Sequence, residues 1–192
     1  MNTNIKKIQV WDLPLRLFHW LLTFCVFGSI ISAKTGNFFI HERFGLGILS
    51  LILFRVLWGI IGSDTSKFVN FIRGPKEVIK SIRSIILRKD QRHFGHSAIA
   101  GWATLALLFI TLFLSLTGSV SSNGILFDGP YYHFFPNLSS YSTKLHHLAE
   151  PVLYFLLSFH VMAMLIYYFW LKTNLVKPMF SGKAEIKNIK IN

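Results

Sequence analysis

Four histidines, His19, His41, His146 and His160, stand inside or at the mouths of long apolar runs. An imidazole in such surroundings is expensive unless it faces a protein interior and finds a partner there, and it is a common ligand for iron. His146 and His160 are 14 residues apart. On an α-helix that is about 1400°, roughly 40° short of four turns, so both rings share one face about 21 Å apart along the axis. His147 is turned about 140° from His160, which makes His146 the better ligand, unless Pro151 distorts the helix between them. By depth, His160 faces His19 toward one side of the membrane, and His146 faces His41 toward the other. Any one of these histidines alone would pass as a polar residue at an interface. Four at matched depths point to two irons, each between two imidazoles. Filled axial positions of that kind favour electron transfer over oxygen binding. The chain has one cysteine, Cys25, and no Cys-x-x-Cys-His. Any haem is therefore non-covalent haem b.

Other polar residues are placed by the same reasoning. Arg55 follows His41 by 14 residues and shares its helix face; it either pairs with a haem propionate or snorkels to the interface. Arg16 and His96 lie at the inner mouth, where a quinone would need charge and proton donors. The competing roles are a propionate or lipid-phosphate contact for Arg16 and a helix cap for His96. Glu150, one turn from His146, marks an alternative quinone site at the outer mouth.

These residues need elements to hold them. The chain has 192 residues, 52% hydrophobic and 16% aromatic. About 20 apolar residues cross a bilayer, and four stretches qualify: about 15–33, 41–61, 98–120 and 145–171. The expected fold is an all-α membrane protein, one domain over 1–192, with four transmembrane helices in an up-down bundle. Lys6 and Lys7 ahead of the first run give it the outline of a leader peptide. No small-x-small cleavage site follows, so it is read as a retained span.

The net charge of +12 does not point to nucleic acid, because the basic residues alternate with the spans. Sixteen lysines and arginines fall in the N-terminal segment, the 62–97 loop and the C-terminal tail, against Lys34, Arg43 and Lys144 on the other side. The positive-inside rule then puts both termini in the cytoplasm. In the inner loop, Val78, Ile79, Ile82, Ile85 and Ile86 recur at helical spacing after Pro75, with Lys76, Lys80 and Arg83 between them. This predicts a short basic amphipathic helix lying in the headgroup region against anionic lipid, serving simple anchoring in preference to a lipid-binding function of its own. The outer 121–144 connection is rich in aromatics and reads as a belt over the outer mouth, in preference to a docking surface.

The stretch Val10-Trp11-Asp12-Leu13-Pro14-Leu15-Arg16-Leu17-Phe18-His19-Trp20 resembles the opening of the bacterial cytochrome b561 family. That family includes the cytochrome b subunits of membrane-bound nickel–iron hydrogenases. His41-Glu42-Arg43-Phe44-Gly45 and Arg55-Val56-Leu57-Trp58-Gly59 resemble its second helix. Arg73-Gly74-Pro75, Gly95-His96 and Gly101-Trp102 resemble the linker and third helix. The sequence departs from the pattern at Ser97-Ala98, where Asn-Pro is frequent, and at His147, where an acidic residue commonly follows the outer ligand. The resemblance implies a diheme b-type cytochrome of the bacterial inner membrane, with His19, His41, His146 and His160 as ligands. Such a protein exchanges electrons with ubiquinone or menaquinone. Its other partner would be a periplasmic cytochrome c, or a dehydrogenase or hydrogenase subunit that it anchors. A histidine-rich transporter or metal-handling protein without haem is the rival class, disfavoured by the lack of repeats and paired broken helices.

Overall fold

The computed structural model describes residues 5–87, 98–122, 124 and 127–187. His93 and His96 lie outside the described residues. The long helices are α1 (Leu13–Lys34), α2 (Phe38–Ile61), α5 (Ala98–Val120) and α6 (Ser139–Phe169). Between α2 and α5 come the short α3 (Phe68–Phe71) and α4 (Pro75–Ile86), and α7 (Val176–Ser181) follows α6. Among the described residues, four helices are long and apolar enough to cross a membrane, as the hydropathy pattern predicts. The protein is a four-span, mainly helical membrane protein.

The span boundaries shift by a few residues, most at the start of α6. α6 starts at Ser139, six residues before the apolar run. The polar Ser139–Lys144 stretch carries no span signal, yet nothing in it breaks a helix, so α6 extends beyond its apolar segment. Pro151 lies inside α6 without ending it. Left-handed backbone at Lys172, with φ of 53°, closes the turn that follows.

The chain divides into two compact units, one of residues 1–17, 58–101 and 161–192, the other of residues 18–57 and 102–160. In the second unit, Val26, Ile48 and Ile52 form a buried cluster, with Leu108, Leu112 and Leu157 packed against it. All four long helices thus contribute to one core. A second cluster, Ile110, Ala149 and Leu153, joins α5 to α6. Large apolar side chains such as Phe24, Ile31, Phe109, Leu148 and Phe155 stay exposed on the helix surfaces, as lipid-facing residues do.

The α1–α2 turn follows from its sequence. Gly36 takes φ of +74°, a left-handed conformation that glycine adopts freely, and so stops α1. The Asn37 side chain then accepts the Ile40 amide at 3.1 Å and starts α2. A turn this short makes α1 and α2 antiparallel neighbours. At the other connection, Ser142 Oγ donates to the Thr117 carbonyl at 2.9 Å, tying the start of α6 to the end of α5.

The first unit holds an element that hydropathy does not announce. β1 (Ile5–Gln9) pairs antiparallel with β2 (Lys183–Lys187), with Ile5 opposite Lys187 and Gln9 opposite Lys183. The ribbon joins the two ends of the chain. The Gly182 carbonyl extends the tie by accepting the amides of Val10 at 2.8 Å and Trp11 at 3.2 Å. Buried Asp12 is the second hub. Its carboxylate accepts the Leu15 amide at 2.8 Å, capping α1, and also the Trp58 indole at 2.9 Å and the Ser63 hydroxyl.

Candidate functional site

His41 lies in the first turn of α2 and His146 in the second turn of α6. Their ring centroids are 6.1 Å apart and the rings are nearly perpendicular, at 88°. Each ring is anchored through Nδ1 to a backbone carbonyl on a neighbouring helix. His41 Nδ1 meets the Ser29 carbonyl of α1 at 2.9 Å, with Ser29 Oγ at 3.0 Å. His146 Nδ1 meets the Leu114 carbonyl of α5 at 3.0 Å, with Thr117 Oγ1 at 3.3 Å. A carbonyl only accepts, so the proton sits on Nδ1 in both rings and the lone pair is left on Nε2. That tautomer is the one a metal needs, and the second hydrogen bond is what orients a metal-binding imidazole.

The spacing suits the same chemistry. Two metal–nitrogen bonds of about 2 Å and two ring half-widths of about 1 Å separate axial imidazole centroids by about 6 Å. Gly118 makes room for the ring: a Cβ there would lie 3.0 Å from His146 Cε1. Ser29, Leu114, Thr117 and Gly118 escape the sequence reading, because their contribution is a carbonyl, a hydroxyl or the absence of a side chain. Their faint signal is their depth, level with the histidines on the adjoining helices.

His147 behaves differently. Its side chain is 72% exposed, and Nδ1 lies 4.0 Å from Glu150 Oε2. Glu150 is held in turn by the Tyr154 hydroxyl at 2.6 Å and the Lys34 ammonium at 3.0 Å. This group ties the end of α1 to α6 on the side where His41 and His146 lie.

His19 and His160 are both half-buried. Among the described residues, His19 Nδ1 is buried and makes no hydrogen bond. Among those residues, no group of three or more histidine, cysteine or acidic side chains could hold a metal ion.

Arg55 is 2% exposed. The interior encloses it, and its guanidinium does not snorkel outward. Arg16, three residues before His19 on α1, donates from Nη1 to the Phe180 carbonyl, while its Nε is buried and makes no hydrogen bond among the described residues.

Four apolar helices with imidazoles paired across their interior define a haem-type electron carrier of the membrane. The profile of the prokaryotic cytochrome b561 family matches residues 10–182, and the chain belongs to that family. It is a membrane b-type cytochrome of electron transfer, and the paired, unprotonated Nε2 atoms fit haem b. No curated protein matches the chain.

Proposed function

We propose that the protein is a diheme cytochrome that moves electrons between membrane quinone and a periplasmic redox partner. The observation that carries this reading is the His41–His146 pair, 6.1 Å apart with both Nδ1 atoms tied to carbonyls. One haem b sits between His41 and His146 and the other between His19 and His160, with 14 residues of α6 separating the two levels. Bound haem supplies a one-electron couple at each level. The four imidazoles would hold the irons, leave no open site for oxygen and set the distance the electron must cross. Buried Arg55 supports this by offering a fixed positive charge to a propionate.

The cytoplasmic side is the side of the sixteen basic residues, which places the termini there and the His41–His146 level toward the periplasm in an inner membrane. Quinone, ubiquinone or menaquinone, is taken at the cytoplasmic mouth, served by Arg16 and His96. The buried Arg16 Nε supports that placement as a donor left over from the Phe180 contact. Family membership and the imidazole pair both weigh against a haem-free transporter.

The test is haem stoichiometry in purified protein. Pyridine haemochrome against protein mass should give two haems per chain, extractable by acid-acetone. Reduction by a quinol analogue should then reach both. A ratio of one, or haem that resists extraction, would overturn the reading.

A further inference from the structure

The α4 helix is oriented the opposite way to a helix of a water-soluble domain. Its buried edge is polar: Ser81 is 8% and Ser84 7% exposed, and Ser84 Oγ donates to the Ser81 carbonyl at 2.7 Å. Ile79, Ile82 and Ile86 face outward, at 67%, 47% and 70% exposed. At about 100° per residue, Val78, Ile79, Ile82 and Ile86 fall within an arc of about 100°. Lys76, Lys80 and Arg83, all exposed, fall within an adjoining arc of about 60°. Glu77 is the one acidic residue of the helix and lies on the serine side.

An isoleucine stripe fixed outward needs an apolar phase. The segment leaves one spanning helix at Ile61 and enters the next at Ala98, so both of its ends are at the same face of the bilayer. That makes the lipid leaflet the nearest apolar phase. Anchoring alone needs only the isoleucines. The separate stripe of three cations along one flank adds charge complementarity to a negative surface.

We propose that α4 is a recognition element for anionic phospholipid headgroups, with Lys76, Lys80 and Arg83 at the phosphates and the isoleucine stripe among the upper acyl chains. The proposal rests on the membrane setting and is independent of haem number and quinone. Each cation at an anionic surface contributes roughly a fivefold preference, so the three together distinguish charged from neutral lipid sharply.

The experiment uses full-length haem-loaded protein in nanodiscs, with an environment-sensitive fluorophore on Ile86→Cys in a Cys25→Ser background. Acrylamide, a neutral quencher, reports burial of the label. In discs of phosphatidylcholine with about 30% phosphatidylglycerol, the label should be blue-shifted and quenched several-fold less than in phosphatidylcholine alone. High salt, or Lys76→Gln, Lys80→Gln and Arg83→Gln together, should abolish the difference while the haem spectrum is kept. The salt titration on the otherwise unaltered chain gives the same answer should the triple variant fail to fold. Equal protection in both lipids would reduce α4 to an unselective anchor and overturn the proposal. So would exposure in both, or protection that appears only with two copies per disc.

Discussion

Gly118 of α5 and His146 of α6 meet so closely that a methyl group on the glycine would lie 3.0 Å from the ring Cε1 and 3.2 Å from Nδ1. The ring cannot retreat freely, because Nδ1 is held by the Leu114 carbonyl at 3.0 Å. Gly118→Ala should therefore tilt the imidazole by a few tenths of an ångström and broaden or shift the α-band of one haem. Gly118→Leu should displace the ring outright and lower haem content from two per chain toward one. Redox-difference spectra with haem quantitation decide this. Full haem content with unchanged bands in Gly118→Leu would mean that His146 is not an axial ligand.

The ligands should fail in pairs. His41→Ala or His146→Ala should remove one haem and spare the other, and His19→Ala or His160→Ala should do the converse. His147→Ala should leave both haems in place, since its ring is 72% exposed and turned toward Glu150. Low-temperature spectra of the five variants provide the measurement. Loss of a haem in His147→Ala together with retention in His146→Ala would reverse the assignment.

How far the sequence carries depends on the range of the interaction involved. The spans are legible because each is a continuous apolar run whose residues report their own environment. The facing of His41 and His146 is legible because depth and helical phase are both local quantities. The β1–β2 ribbon is not: it joins Ile5 to Lys187 across nearly the whole chain, and neither five-residue segment has an alternating pattern strong enough to stand alone. The amphipathic character of α4 is visible in its periodicity, but periodicity does not say that Ser81 and Ser84 turn inward while Ile79, Ile82 and Ile86 stay exposed. Ser29 and Leu114 act through carbonyls, which every residue has, so no residue type could mark them.

Asp12 should matter for stability. Removing its carboxylate in Asp12→Ala takes away the α1 cap at Leu15, worth about 0.5–2 kcal/mol. It also strands the half-buried Trp58 indole donor, at about 1–3 kcal/mol. Together these give an expected loss of about 1.5–5 kcal/mol. Asp12→Asn keeps an acceptor for one of the partners and should lose less. Thermal melts in detergent, followed at the haem band, give the comparison. A melting point for Asp12→Ala within a degree of the parent would show that these bonds are replaced by water at little cost.

The last prediction concerns Arg55, whose side chain is 2% exposed in an apolar helix. A positive charge near an iron favours the reduced state, because reduction adds an electron that the charge stabilises. Replacing it with a neutral group must therefore lower the potential of the haem it serves. Arg55→Gln should keep both haems and shift one midpoint downward by about 60 mV for each tenfold loss of stabilisation in a one-electron couple. The other midpoint should move far less, since in the proposed arrangement His146 and His160 stand about 21 Å apart along α6. Arg55→Lys, which retains the charge, should restore most of the shift and so separates electrostatics from packing. Redox titration of the three proteins makes the measurement. If neither midpoint moves in Arg55→Gln, the guanidinium serves the protein interior and does not contact a propionate.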